Sequence, residues 1–355
     1  MAATKKILTC LLPVQLVVVQ LLTFFPEFVE KYYSSTVYPA ISITFRYIFG
    51  WLPFSVGDLF YSLCILLILR FIYFSFTKKS WQKRELLWSM GATLSVMVFL
   101  FYALWGLNYA RNNLYTRMEL QKNEKSEEAL LEYTSLLNIK ITALHRQLTS
   151  NDTLPVVVPY TKNEIFAMVP EAYIPLSEKF PYLAYSPVSL KKSLLSLPLT
   201  YMGFSGYLNP FTGEAQVDYL IPEVALPVTC AHEIAHQIGI GFESEANFIG
   251  FLASVHHHDA YIQYSAYVMA YRYALFDLAR TNTDLFEEYV EKTPKGIIKN
   301  IQEIENFWLR YDNKSEAYFK AFYEGYLRMN NQEDGLRSYS KMTDLLMAYT
   351  KKYEL

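Results

Sequence analysis

Three stretches in the first third of the chain lack the alternation of polar and apolar positions that marks a surface helix. Ile7 to Phe25 and Leu86 to Leu107 run without a charge for about the length that crosses a bilayer, and Leu59 to Phe76 does so with only Arg70 interrupting it. The pattern predicts three transmembrane helices, at about 7–25, 59–76 and 86–107. Pro39 to Pro53 is also apolar, but it is short, bounded by proline and carries Arg46, which predicts an interfacial or packed helix. Were it a fourth span, everything after it would lie on the opposite side of the membrane.

Beyond Asn108 the pattern changes. Asn123 to Ser150 repeats leucine at three-to-four spacing behind cap-type and acidic residues, an amphipathic helix in which His145 reads as a surface residue. Prolines at 155, 159, 170, 175, 181, 187 and 198 predict short helices and loops. In Thr200 to Glu223, aromatic and β-branched residues flank Asn-Pro-Phe-Thr-Gly, which predicts a hairpin with Gln216 to Ile221 as its second strand. Helical patterns follow at Ala246–Val255, Tyr261–Arg280, Leu285–Lys292, Ile298–Tyr311, Ser315–Met329 and Tyr339–Lys352. The expected fold is mainly α with a small β-sheet: a membrane anchor over 1–108 and one domain over 109–355.

Composition supports a lipid bilayer as the first partner, since the 355 residues are 52% hydrophobic, 17% aromatic and only 19% charged. A net charge of −2 and the lack of a basic stripe with interleaved aromatics argue against nucleic acid. Phe25-Pro26-Glu27-Phe28 offers no small-residue cleavage pattern after the first apolar run, so that run reads as an uncleaved anchor. Lys5, Lys6, Lys78, Lys79, Lys83 and Arg84 cluster before the first span and between the second and third, whereas the first connection has only Lys31 and Arg46. By the positive-inside rule the amino terminus is cytoplasmic and the 109–355 domain extracytoplasmic. Asp58 and Arg70, near the two ends of the second span, read as boundary anchors. Cys10, Cys64 and Cys230 indicate no disulfide framework.

The chemistry concentrates in Cys230-Ala-His-Glu-Ile-Ala-His236. A helix turns about 100° per residue, so His232 and His236 stand one turn apart on one face, where two imidazoles reach one tetrahedral metal. Glu233 projects beside such a metal and is placed to act as general base towards a water. Gly239 can end the helix, and Glu243 and Asn247 then sit four apart at the start of another. Glu243 is the favoured third ligand and Asn247 a supporting hydrogen-bond partner, with Glu245 the competing carboxylate. His256-His257-His258 points three ways on a helix and reads as a solvated helix end, and Cys230 as a small buried residue.

His232-Glu-Ile-Ala-His236 followed by Glu243-Ser-Glu-Ala-Asn247 resembles the gluzincin-type zinc metallopeptidases. With "WGLNYAR", "MGFSGYLNPFTGEAQV" and "YSAY", the layout is similar to a bacterial domain-of-unknown-function family with three amino-terminal membrane helices and an extracytoplasmic zincin domain. The gap from His236 to Glu243 is shorter than the usual gluzincin one, and Asn247 stands where aspartate is commoner. The resemblance implies one Zn2+ per chain and a zincin-like α+β domain hydrolysing a peptide or protein substrate, including a cell-envelope peptide. It also implies a substrate-aligning edge strand before the metal helix, at Gln216, Val217, Asp218 and Tyr219. Tyr264, Tyr267 and Tyr271 read as core packing, with a hydroxyl reaching the pocket as the other reading. Arg337 and Tyr339 are further candidates for a second oxyanion donor. A zinc-binding scaffold without turnover is the competing class, although Glu233 would then have no task. Intramembrane proteolysis would require burying Glu223, Glu243 and Glu245 in lipid.

Overall fold

The computed structural model describes residues 2–77, 83–122, 126–330, 332 and 339–353. Lys78, Lys79, Arg337 and the start of the predicted 123–150 helix lie outside the described residues.

Three helices are long and apolar enough to cross a membrane, over Ala3–Leu22, Val56–Phe74 and Arg84–Leu104. The first and third pack along each other, and polar groups tie them: Gln15 donates to the Ser95 hydroxyl at 2.6 Å and Thr9 to the Trp88 carbonyl at 3.1 Å. Among the described residues, the second makes no comparable contact with either. The third ends at Leu104, three residues before its apolar run does, because the chain tightens into a 3-10 turn over Gly106–Ala110.

The Pro39 to Pro53 stretch forms the helix Tyr38–Phe49, whose 12 residues cover about 18 Å against the roughly 30 Å of a hydrocarbon core. Its buried residues, Tyr38, Ser42 and Arg46, recur every fourth position and form one face against the rest of the protein, so it is a packed helix. Asp58 is fully buried and accepts from the Leu194 amide at 2.7 Å and from the Tyr207 hydroxyl. It fastens the span to the protein, not to headgroups as its boundary position suggested. Glu214 caps the same helix start, accepting from the Val56 and Gly57 amides at 3.1 and 2.6 Å, where a carboxylate also meets the positive end of the helix dipole.

Beyond the membrane helices the protein is helical around one three-stranded sheet, β1 (Leu190–Lys192), β2 (Gly206–Leu208) and β3 (Ala215–Val217), in the order β1-β3-β2. β2 and β3 form the predicted hairpin, antiparallel with Tyr207 opposite Gln216, while β1 runs parallel to β3. Asn209 closes the turn by accepting from the Phe211 and Thr212 amides, and Gly213 supplies the left-handed φ of 62°. The strands are shorter than the pattern suggested. Thr200 to Met202 belongs to the helix Ser196–Met202, and β1 was not foreseen because Leu-Lys-Lys carries no alternation.

The core lies among the helices Glu127–Leu148, Leu226–Gln237, Glu243–Val255 and Ala260–Thr281, with Tyr339–Lys352 packed on them. His145 belongs to this core and not to the surface: it continues the buried stripe Leu137, Ile141, and its Nε2 pairs with the Leu154 carbonyl at 2.9 Å. The predicted later helices form within about three residues of their expected limits.

Candidate metal centre

The helix Leu226–Gln237, the histidine helix, starts at Pro227 in its first turn and ends where Gly239 adopts φ 94°. There the Ile240 amide reaches back to the Ala235 carbonyl and the Gly239 amide to the His236 carbonyl, both at 3.0 Å, the two bonds of a Schellman motif. The reversal delivers the Ile240 carbonyl to His236 Nδ1 at 2.7 Å. A carbonyl only accepts, so Nδ1 carries a proton and Nε2 is the ring nitrogen turned to Glu243.

The chain then enters the helix Glu243–Val255, the glutamate helix, which crosses the histidine helix closely at Gly250. A β-carbon at Gly250 would lie 2.9 Å from the His232 amide nitrogen. This approach brings Glu243 onto both imidazoles, with Oε2 at 3.4 Å from His232 Nε2 and Oε1 at 3.4 Å from His236 Nε2. The donor atoms of His232, His236 and Glu243 all lie within 4.8 Å of one another. The two imidazole planes are nearly perpendicular, at 88°. His232 Nδ1 and Glu233 Oε2 are buried without a hydrogen-bond partner.

Burial opposes ionisation throughout the cluster, and the neighbours decide the outcome. Burial works against the His236 imidazolium, yet the Glu243 carboxylate outweighs it and raises the pKa to about 9. Burial likewise opposes the Glu243 carboxylate, and the two histidines hold its pKa well below the usual range. Burial pushes Glu233 up to about 7, with His232 and His236 pulling down and Glu243 pushing up. The pocket as built stabilises positive charge, and its donor set of two imidazoles and a carboxylate is one that zinc takes.

Of the two carboxylates, Glu243 is the one that lies against both histidines. Glu245 points away from the histidines, accepts the Leu114 amide at 2.8 Å, and is raised to about 7 by burial. Asn247 is buried one turn beyond Glu243, and no hydrogen bond joins it to the three ligand candidates among the described residues.

The edge-strand expectation is corrected. Gln216 and Val217 lie in β3, which is paired on both sides and has no backbone edge to offer. The Gln216 side chain donates to Ser55 at 2.8 Å, Asp218 accepts from Thr200 at 2.6 Å, and the Tyr219 amide is held by Ser196. The strand that faces the cluster is β2, where a β-carbon on Gly206 would meet Glu233 Oε1 at 2.5 Å. Tyr264 and Tyr267 are core residues: the Tyr264 hydroxyl donates to Asn300 at 3.0 Å, and Tyr267 packs edge-on against Phe251. Tyr271 bonds Asn138 and Thr293.

His257 is buried, not solvated, and stacks on His258 at 4.2 Å. With Glu171 they come within ligand distance of one another, but His257 Nδ1 accepts the Asp259 amide, which leaves the ring proton on Nε2. Cys230 is fully buried, which, with the nearby Glu233 carboxylate, pushes its thiol well up.

Several contributors were not foreseen. Tyr323, on the helix Glu316–Met329, donates to Glu243 Oε1 at 2.8 Å. The Trp105 indole donates to the His236 carbonyl at 3.0 Å, Tyr38 and Ser42 donate to the Gln237 carbonyl at 2.8 Å each, and Arg111 donates to the Gly239 carbonyl at 2.8 Å. Arg111 is itself held by a two-bond ion pair with Glu30. The C-terminal carbonyls of the histidine helix are thus satisfied by residues around the membrane helices. "WGLNYAR" contains two of these donors, but no spacing rule points from it to a helix end more than a hundred residues later.

No curated protein and no solved structure matches the chain. Residues 33–347 match the family described as a protein of unknown function, DUF3810, a span that takes in the second and third apolar helices, the sheet and the cluster of His232, Glu233, His236 and Glu243. The chain therefore belongs to the DUF3810 family.

Proposed function

We propose that the protein is a membrane-anchored zinc-dependent peptidase with a zincin-like domain, hydrolysing peptide bonds. The observation that carries this reading is the convergence of His232, His236 and Glu243 donor atoms beside a buried Glu233 carboxylate with one oxygen unpartnered. His232, His236 and Glu243 would hold the ion. When bound, zinc supplies Lewis acidity, polarising a carbonyl and making a nearby water a better nucleophile. Glu233 takes the proton from the attacking water and returns it to the leaving amine. β2, at the sheet edge beside Glu233, pairs with the substrate backbone, the task first assigned to Gln216–Tyr219. Tyr323 steadies Glu243 and is the hydroxyl best placed to meet a substrate oxygen.

The distribution of basic residues supports an amino terminus in the cytoplasm and a centre outside it, where polypeptides of the cell envelope, including cell-wall peptides, would be the accessible substrates. A structural zinc site has no use for Glu233, so the enzyme is preferred to a zinc-binding scaffold. Elemental analysis of the detergent-solubilised protein is expected to give one zinc per chain, lost in His236→Ala and Glu243→Ala. Glu233→Gln is expected to keep the zinc and lose turnover. Zinc retained in both ligand variants would sink the assignment, and hydrolysis undiminished in Glu233→Gln would remove the base.

A further inference from the structure

The helix Glu316–Met329 carries an apolar face that none of the described residues covers. At about 100° per residue, Tyr318, Phe322 and Met329 fall within about 40° of one another. They are 79%, 78% and 69% exposed. Gly325, on the same stripe, has open space around it. The opposite side holds buried Leu327 and inward-facing Tyr323, and the charged residues Lys320, Glu324 and Arg328 lie together on a third side. Such a three-sided distribution is that of a helix lying at a boundary between protein, water and a third, apolar medium.

The position of the helix identifies that medium. Its C-terminal end rests on the outer ends of two candidate spans: Tyr102 donates to Asn330 at 3.1 Å, and Met329 and Asn330 share a small cavity with Val19, Gln20 and Thr23. Its exposed face is therefore continuous with the lipid-facing surface of those spans. Phe24, Phe25 and Phe28 follow the first span and Tyr47 and Trp51 precede the second, all more than half exposed. Exposed aromatics at span ends are what a membrane-water interface selects.

We infer that this helix is seated in the bilayer interface with Tyr318, Phe322 and Met329 in lipid, and that it sets the metal centre at the membrane surface. The membrane-tethered polypeptide cut there would be one whose scissile bond lies close outside its own span or lipid anchor. This substrate class rests on the peptidase reading; the seat of the helix does not. Trp105 directly follows the third span and donates to the backbone of a ligand residue, so the centre stands on the order of 10 Å from the end of that span, one side-chain length on each side of the contact. About three extended residues cover that distance. Among the described residues the second span makes no contact with the other two comparable to the one they make with each other, so the three do not form a closed bundle. A soluble peptide would need none of these features.

Two measurements on the full chain, reconstituted in phosphatidylethanolamine–phosphatidylglycerol vesicles, test the inference separately from the peptidase reading. Nitroxides are placed at Phe322→Cys and, on the charged side, Lys320→Cys, with Cys10, Cys64 and Cys230 replaced by alanine. Collision with oxygen is expected to exceed collision with a water-soluble nickel chelate at 322 and to fall below it at 320. Mn2+-loaded protein is expected to shorten the relaxation of lipid phosphorus, and Glu243→Ala to abolish the effect. A water-exposed label at 322, including one shielded by a second copy or a soluble partner and not by lipid, overturns the proposal. So does bound Mn2+ without phosphorus relaxation. A lipid-seated 322 in a protein that binds no metal would leave the seat standing and overturn the peptidase reading instead.

Discussion

Gly250 shows how much of the metal centre depends on an atom that is missing. With its β-carbon position 2.9 Å from the His232 amide, alanine at 250 forces the glutamate helix away from the histidine helix and carries Glu243 off the imidazoles. Gly250→Ala is expected to cost about 1–3 kcal/mol of stability through overpacking, read by thermal unfolding, and to weaken zinc binding by about tenfold or more. Tyr323→Phe removes one hydroxyl from Glu243 without changing the packing. It is expected to lower zinc affinity or turnover by about 10- to 100-fold while leaving the unfolding temperature nearly unchanged. A metal titration that matches the wild type would show that the hydroxyl does not position the ligand. Glu243, on the next helix, was reached through its four-apart pairing with Asn247, while His232, Glu233 and His236 were legible as a candidate cluster because helical spacing stacks the two histidines and sets the glutamate beside them. Tyr323 was not, since one tyrosine among 30, on a helix 80 positions after Glu243, carries no spacing signal.

Among the elements, the end of the histidine helix is the most constrained. Gly239 combines a left-handed backbone with a β-carbon position 2.8 Å from the Tyr38 ring, and its turn presents the Ile240 carbonyl to His236. Gly239→Ala is expected to destabilise the protein by about 1–3 kcal/mol and to weaken zinc binding, because the imidazole loses the acceptor that fixes its tautomer. Unchanged metal affinity in a destabilised variant would separate the helix end from the ligand geometry. The helices were readable to within a few residues because long periodic runs dominate their pattern. The sheet was only partly readable. A three-residue strand offers too few positions to show alternation, and the interior place of β3 is set by β1, which pairs from a proline-rich segment.

At the scale of the molecule, a set of polar contacts ties the second apolar helix and the segments flanking the spans to the distal domain. Glu214 and Asp58 fix the start of the second span, while Trp105, Tyr38 and Ser42 satisfy carbonyls at the end of the histidine helix. A boundary at residue 108 passes through this network. The fragment 109–355 takes both donors from the Gln237 carbonyl, at about 1–3 kcal/mol for a buried group left unpaired, and takes the Trp105 donor from the His236 carbonyl. It is expected to lack a cooperative unfolding transition and to bind no stoichiometric zinc, even in detergent. A well-folded, zinc-binding fragment would show that the membrane helices serve only as an anchor.

The same contacts order events in time. Tyr38 and Gln237 are 199 positions apart in sequence, and Trp105 and His236 are 131 apart. Long-range closures of this kind form slowly. The first partners leave the ribosome and enter the membrane well before the histidine helix is synthesised, and Tyr323 follows later still. The pocket thus takes its final form only once the nascent chain is nearly complete, so that, on the peptidase reading, translation itself would keep an unfinished protein from acting on its surroundings.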